Sequence, residues 1–228
     1  MKLFFAVILS LSVIVTSAQQ TRPSRSQNLL DPNTKLDMVN GDTKWMDYRG
    51  RHGLHVVPLP GHEHADSEEM LAFLPNLDFR DGTIEVDVAG APRPGFPPGE
   101  KGFIGVYFRM QGDKQERVFL RPTNARSDDQ LARNHTIAYT SSPDFFFPVL
   151  RKESPGVYES YVDLDPGAWT HLKIEVSGVK SRIYINDAKQ PCLIVNDLKK
   201  GISHGRIALY AEVTTDAYFS NLKVEAAR

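Results

Sequence analysis

The chain has 228 residues, of which 41% are hydrophobic, and its 27 basic and 28 acidic residues give a formal net charge of −1. This near balance argues against nucleic acid or an anionic membrane as the main partner, since both select strongly basic surfaces. The single cysteine, Cys192, excludes an internal disulfide. Its apolar setting in 191–195 predicts a packed small side chain rather than a reactive thiol.

The first eighteen residues have the pattern of a secretory signal peptide. Lys2 gives a short basic head, 3–15 is almost entirely apolar, and Ser17 and Ala18 are small residues suited to cleavage. The apolar stretch is short for a membrane span, although an uncleaved anchor helix is the alternative. We therefore expect a secreted or periplasmic protein that begins at Gln19 and has no membrane association after cleavage.

Residues 19–35 are polar and aperiodic, which predicts a flexible lead-in. From residue 36 onward, short apolar or alternating runs follow one another between Gly, Pro, Asn and Asp residues, as is typical of strands and turns. The predicted strands are 36–39, 44–48, 54–58, 70–74, 82–89, 103–111, 116–121, 135–140, 158–164, 169–177, 181–185, 193–195, 206–211 and 217–224.

The connections between these runs favour the same interpretation. Asp165-Pro166-Gly167 is a strong turn signal, 91–102 is a loop rich in Pro and Gly, and the polar connector 124–133 has room for one helical turn. The aromatic loop 143–148 has two interpretations, a plug over the edge of a sandwich or an aromatic wall beside a ligand. Many short strands with almost no helix predict an all-β fold, a two-sheet antiparallel jelly-roll sandwich, as a single domain over 36–228.

Two neighbouring strands between 103 and 121 carry the strongest functional pattern. Side chains alternate along a strand, so Ile104, Val106 and Phe108 should face the core. The opposite face should then present an array of aromatic, guanidinium and amide groups: Tyr107, Arg109, Gln111, Arg117, Phe119 and Arg121. These groups could pair with acids across the sheet, at about 0.2–1 kcal/mol per pair. Alternatively, aromatic rings could stack on a sugar while arginines bond its hydroxyls.

Several segments resemble the concanavalin A-like lectin/glucanase superfamily. They include Phe79 to Val88, Gly105-Val106-Tyr107-Phe108-Arg109, and the strand Trp169 to Val176, which resembles laminin-G-like domains. The nearest branch is the 3-keto-disaccharide hydrolase-like domains. The resemblance implies a β-sandwich whose Gly-x-x-Phe-Arg strand lines a concave, carbohydrate-binding face. The superfamily hosts lectins, hydrolases and adhesion modules alike, so the resemblance predicts fold better than function.

Glu85 and Asp87 are candidates for catalysis, because residues i and i+2 of a strand point the same way and glycoside hydrolysis needs two carboxyl groups. Laminarinase-type glucanases of the superfamily carry Glu-x-Asp-x-x-Glu on such a strand, but the last place here is Gly90. The alternative is a solvated strand face.

His135 is the third catalytic candidate, since imidazole exchanges protons near neutral pH. Asn134 beside it is a candidate ligand-binding residue and also begins the glycosylation sequon 134–136. The loop with His62 and His64 has metal-ligating groups but no third ligand fixed by spacing, and we predict no metal and no cofactor.

Three hypotheses follow. The first is an exported carbohydrate-binding module that uses the Arg/Tyr-rich face. The second is a sugar-active hydrolase or lyase in which His135 acts with Glu85 or Asp87. The third is a non-catalytic adhesion or structural sandwich. The pattern does not select a particular sugar or an oligomeric state.

Overall fold

Fourteen strands form the body of the protein in the computed structural model, which describes residues 28–63 and 68–227. In chain order they are β1 Asp37–Val39, β2 Gly41–Tyr48, β3 Arg51–Pro58, β4 Glu69–Phe73, β5 Gly82–Pro92, β6 Ile104–Gln111, β7 Lys114–Leu120, β8 Ile137–Ser142, β9 Glu159–Ser160, β10 Thr170–Ser177, β11 Lys180–Ile185, β12 Leu193–Val195, β13 Arg206–Glu212 and β14 Thr215–Ala226.

The strands make two seven-stranded antiparallel sheets. Sheet 1 has the order β1-β4-β13-β6-β7-β8-β9, and sheet 2 has the order β12-β11-β10-β5-β14-β3-β2. Alternate residues of the central strands, such as Ile84 and Val86 of β5 or Ile104 and Val106 of β6, are fully buried between the sheets. Each such side chain contributes about 1.5–3 kcal/mol of burial free energy. The predicted all-β jelly-roll sandwich is thus confirmed.

Helical turns occur in the connections. The polar connector holds a 3₁₀ turn at Pro122–Arg126 and the helix α1 at Gln130–Asn134, whose first turn is capped by the Asp129 carboxylate accepting from the Leu131 N–H at 2.8 Å. A second helix, α2, spans Phe147–Glu153 and replaces the end of the predicted aromatic loop. Pro148 in its first turn is compatible with a helix start, where no N–H is needed.

Two predicted boundaries change. The predicted strand 158–164 pairs only at Glu159 and Ser160, after which the chain leaves β8 and crosses towards sheet 2. At the other end, Leu30 is buried in the core and the Leu29 N–H donates to the Leu222 carbonyl at 2.7 Å, so part of the predicted flexible lead-in packs on the sandwich. The predicted signal peptide, 1–18, lies outside the described residues.

Cys192 is half-buried in the connection that leads into β12, and its thiol is free. Burial raises the pKa of this thiol to about 11, so it is protonated at neutral pH. Within 28–63 and 68–227, none of the helices has the length and apolar character needed to cross a bilayer.

The alternation predicted for β6 and β7 holds up to Phe108. Tyr107 lies opposite Arg117, and Gly105 lies opposite Phe119, so the three larger side chains share the outer face of sheet 1. A Cβ at Gly105 would lie 2.6 Å from the Phe119 Cα, so only glycine fits beneath this ring. However, the face is not open to solvent as expected. All three are buried. Tyr107 and Phe119 pack with Tyr210 in a second apolar cluster, and the Arg117 guanidinium carbon lies 4.9 Å from the centre of the Tyr210 ring.

Arg109 departs from the alternation, and its expected place on that face is wrong. The β6–β7 register shifts after Phe108, and Arg109 adopts a left-handed conformation with φ of 53°. Its buried guanidinium donates to the carbonyls of Arg80, Gly178 and Gly201 at 2.7–3.0 Å and to the Asp81 carboxylate at 3.0 Å. The β-bulge therefore re-aims this side chain, which forms hydrogen bonds with three separate loops.

Replacing Arg109 with Met should lower the free energy of unfolding by about 3–5 kcal/mol, because it strips Asp81 and three carbonyls of their buried donor. Chemical denaturation would measure the loss. The matched control is Arg80→Met, since Arg80 is exposed and its contact with Asp81 at 3.7 Å should be worth at most about 1 kcal/mol. Wild-type stability in Arg109→Met would contradict the structural role.

Candidate functional site

The buried polar network on the outer face of sheet 1 centres on Arg117. Its Nη1 donates to the Glu69 carboxylate at 2.6 Å and its Nε donates to the Thr140 hydroxyl at 3.1 Å. The Tyr107 hydroxyl also donates to Glu69, at 2.8 Å. Arg117 and Tyr107 therefore form hydrogen bonds with other side chains of the protein, as the cross-strand pairing interpretation expects.

Glu212, the cross-strand partner of Glu69, lies beside this network. Burial raises the pKa of its carboxyl to about 7, and the charge of Arg117 only partly opposes that effect. No local sequence pattern marks Glu212, because its pKa is raised by burial in the folded state.

Phe119 links this network to a second polar group at the edge of sheet 1. The guanidinium carbons of Arg117 and Arg121 lie 4.5 and 4.6 Å from the centre of the same Phe119 ring. Arg121, the residue after β7, also lies 5.3 Å from the centre of the Phe103 ring and 5.2 Å from that of Phe147. Its charge is thus held among three aromatic rings.

The Glu159 carboxylate of β9 pairs with two arginines. Arg121 donates to it through Nη1 at 2.8 Å, and Arg151 of α2 donates through Nε and Nη2 at 2.6 and 2.7 Å. Burial alone would raise the pKa of Glu159, but the hydrogen bonds and charges of Arg151 and Arg121 prevail and hold it below the ordinary value. The carboxylate is therefore ionised at neutral pH.

His135, the residue after α1, lies beside the same carboxylate. Its Nε2 is 3.5 Å from a Glu159 oxygen. Burial lowers the pKa of this imidazole, and the nearby arginines lower it further, against the opposing charge of Glu159. His135 is therefore mainly neutral at pH 7.

A cavity of about 340 Å³, here called the Arg121 cavity, opens beside these groups. Its floor is formed by Arg121 and Asn124, which are 3% and 5% exposed. The other lining residues are cationic, aromatic or apolar apart from one acid: Lys101, Phe103, Asp129, Leu131, Ala132, His135, Phe147 and Arg151. A larger adjoining cavity of about 580 Å³ shares Leu131, His135 and Arg151 with it and extends to Asn134, Glu159 and Tyr161.

The floor of the Arg121 cavity has two unsatisfied polar atoms. Arg121 Nη1 and Asn124 Nδ2 both donate to the His135 carbonyl, at 2.7 and 3.4 Å, so the two side chains converge on one oxygen. Their remaining atoms, Arg121 Nη2 and Asn124 Oδ1, have no hydrogen-bond partner among the described residues. Buried polar atoms of this kind are rare, and each requires a structural or functional explanation.

The remaining predicted site residues lie elsewhere. Glu85 and Asp87 are on β5 of sheet 2, where His171 Nδ1 is 2.8 Å from Asp87 and Nε2 is 3.9 Å from Glu85. Arg51 and Asn221 also bond Asp87. The structure therefore does not bring these carboxylates to His135. Sequence reasoning did not single out His171, which stood only within an apolar strand pattern.

Gln111 and Asn134 are both exposed, but they lie in different places. Gln111 is exposed at the β6–β7 turn, with its Nε2 3.3 Å from His204 Nε2. Asn134 is exposed at the end of α1 and lines the adjoining cavity. Arg121, His135 and Asn134 thus come together, Tyr107, Arg117 and Phe119 lie behind them, and Arg109, Gln111, Glu85 and Asp87 are remote.

No group of three or more His, Cys, Asp or Glu side chains suited to a metal ion occurs in 28–63 or 68–227. In the loop considered for metal binding, His62 Nδ1 lies 2.9 Å from the Glu68 carboxylate. His64 lies outside the described residues.

Replacing Glu159 with Gln should lower the free energy of unfolding at pH 7 by about 3–5 kcal/mol, since two arginines lose their shared counter-ion. Because the folded-state pKa of Glu159 lies below its ordinary value near 4.5, its stabilisation is present above that value and is lost as pH falls through the folded pKa. The difference between wild type and Glu159→Gln should therefore shrink below about pH 4.5.

Denaturant unfolding at a series of pH values would measure this, with Glu153→Gln on the exposed side of α2 as the control. A stability difference between wild type and Glu159→Gln that stays constant from pH 7 to pH 3 would contradict the ion-pair assignment.

Comparisons with known proteins bear on the fold. No protein-family profile matches the chain, and no curated protein matches its sequence. Among solved structures, the carbohydrate-binding module CBM66 from Bacillus subtilis is similar, with 16% identity and a TM-score of 0.52, and the match covers 83% of this chain and 98% of that one. A Bacillus subtilis protein of unknown function with a galectin-like fold matches with 14% identity and a TM-score of 0.55, over 83% and 88% of the two chains.

A third similar structure is the cellulose-induced protein Cip1, with 12% identity and a TM-score of 0.50, over 85% of this chain and 92% of that one. Identities this low report on the fold alone. Together with the two seven-stranded antiparallel sheets, these matches show that the chain has the concanavalin A-like sandwich fold.

Proposed function

We propose that the protein is an exported carbohydrate-binding module, secreted or periplasmic, that binds sugar in the Arg121 cavity. The observation that carries this proposal is the unsatisfied pair on the cavity floor, Arg121 Nη2 and Asn124 Oδ1. The arginine atom can only donate a hydrogen bond, and the amide oxygen can only accept one. A hydroxyl group is the simplest ligand group that complements both, because it accepts from one neighbour and donates to another.

Simpler ligand groups fit the pair less well. A carboxylate or phosphate oxygen would satisfy Arg121 Nη2 but would meet the Asn124 oxygen as one acceptor facing another. An ammonium group would satisfy the Asn124 oxygen but would meet Arg121 Nη2 as one donor facing another. A buried water could also bridge the pair, and it is the reference state that a sugar hydroxyl would displace. The donor–acceptor pattern therefore favours a polyhydroxylated ligand.

The walls support the same ligand class. Phe103 and Phe147 are only partly buried and line the cavity, and Leu131 at the rim is 64% exposed. Apolar walls with a few fixed polar groups are the usual composition of small-ligand sites. The volumes of the two cavities, about 340 and 580 Å³, also lie within the usual range of about 300–1,000 Å³.

Two further observations support binding outside the cell. The first eighteen residues have the pattern of a leader, and the fold is shared with a carbohydrate-binding module. The competing hydrolase hypothesis needs His135 beside Glu85 or Asp87, and these groups are attached to different sheets. Buried hydroxyls without a partner also occur away from the cavity, as at Thr214, but the structural-sandwich hypothesis gives no role to an unpaired donor and an unpaired acceptor that both line it.

Replacing Asn124 with Ala should weaken binding of a sugar found on a soluble glycan array at least tenfold, about 1.4 kcal/mol. The free energy of unfolding should change by at most about 1 kcal/mol, because the variant removes an unpaired buried acceptor together with a long 3.4 Å bond to the His135 carbonyl, which Arg121 still bonds. Isothermal titration and denaturant unfolding would measure the two effects.

The matched control is Thr214→Val, since Thr214 also has a buried hydroxyl without a partner among the described residues but does not line the cavity. It should keep full binding. A clear loss of stability in Asn124→Ala with unchanged binding would make Asn124 structural and remove the basis of the proposal.

Leu131→Ala should weaken binding of the same sugar about tenfold, since a ligand in either cavity covers this exposed side chain. Ile202→Ala is the matched control, because Ile202 is equally exposed at 63% and lines neither cavity. Equal affinity of the two variants would place the binding site elsewhere, and a flat glycan array for the wild type would end the proposal.

A further inference from the structure

We infer that the sugar bound in the Arg121 cavity carries an anionic substituent, a carboxylate or a sulfate. This inference rests on the proposed function and adds the ligand's charge to it. It is drawn from the cationic groups around the cavity, whereas the hydroxyl specificity was drawn from the unsatisfied pair on the floor.

Three cationic side chains line the Arg121 cavity: Lys101, Arg121 and Arg151. Arg121 and Arg151 share one carboxylate, that of Glu159, so these two arginines and the glutamate together have a net charge of +1. Lys101 forms no ion pair among the described residues and adds a second. Asp129 lines the rim and offsets one of these charges, and its Oδ1 is already occupied by the Leu131 N–H.

The donor atoms are as important as the charges. The Glu159 carboxylate takes up Nε and Nη2 of Arg151 but leaves Nη1 without a protein partner in the described part of the chain, and the side chain is 35% exposed. Lys101 also lines the cavity. A guanidinium N–H and an ammonium at one cavity are suited to the oxygens of an acidic substituent.

His135 does not change this balance at neutral pH. Burial and the two arginines lower the pKa of its imidazole, so it adds little positive charge. The cavity also excludes much of the solvent from Arg121, which strengthens attraction to an anion compared with an exposed surface. A hydroxyl bridge on the floor and one net positive charge on the walls together describe an acidic sugar.

The test compares three pairs of trisaccharides, each made of an acidic sugar and its neutral parent: galacturonate and galactose, glucuronate and glucose, and mannuronate and mannose. The methyl ester of each uronate is the neutral control. A sulfated galactose trimer is the second source of negative charge. Isothermal titration with the full mature protein at low and high NaCl measures each affinity. We expect at least one acidic trimer to bind tenfold or more tighter than its neutral counterpart and its ester, with the ratio falling as salt rises.

Two lysine variants locate the effect. Lys101→Met should remove most of the preference for the acidic trimer, measured on the variant as the ratio of its affinities for the acidic and the neutral trimer. Lys152→Met, an exposed lysine of α2 that lines neither cavity, should leave the preference unchanged. A preference that survives Lys101→Met would overturn the assignment.

The outcomes separate the two proposals. Neutral trimers that bind as tightly as acidic ones would overturn the inference and leave the carbohydrate-binding proposal in place. An array with all these sugars that shows no binding would overturn both. A uronate that binds more tightly than the sulfated trimer identifies the anion as a carboxylate, and the reverse order identifies it as a sulfate.

Discussion

The Glu159 carboxylate is the group on which the candidate site depends. It is bonded by Arg121 at the end of β7 and by Arg151 on α2, while Glu159 itself lies on β9 at the edge of sheet 1. A single side chain thus fixes three segments that are separated along the chain. Burying such a trio is costly, and well-packed apolar residues often give equal or greater stability. We therefore interpret it as a device that positions guanidinium groups beside a cavity.

The two polar groups on the outer face of sheet 1 use the same residue types differently. Arg117 has carboxylate and hydroxyl partners within the protein, so it has no obvious need for a ligand. Arg121 has equally close neighbours but keeps one nitrogen without a partner in the described residues. The two arginines therefore differ in their hydrogen-bond partners, although both are buried and both contact Phe119.

The sequence was sufficient to predict the strands, because period-2 alternation and turn residues recur in nearly every segment. Each of the fourteen predicted strands overlaps an observed one. Local deviations were not predictable in this way. The bulge at Arg109 changes which face the side chain occupies, and its cause is a hydrogen-bond network with the distant loops at 80–81, 178 and 201.

The candidate site could be predicted only in part. Arg121 and His135 were singled out from their residue types and positions, but Asn124 and Arg151 were not, since one lay in a connector and the other in an unpredicted helix. The convergence of Arg121 and Asn124 on the His135 carbonyl depends on how the connector folds back on β8. Pairing Glu85 and Asp87 with His135 failed because alternation assigns a face within a strand but does not say which sheet the strand joins.

The free thiol of Cys192 has a consequence for where this chain can fold. With one cysteine, the native state requires no oxidation step, so its stability comes from the apolar interior and the buried ion pairs. The redox potential of the surroundings therefore has no covalent cross-link to act on. The same fold is therefore equally accessible in a reducing and in an oxidising compartment.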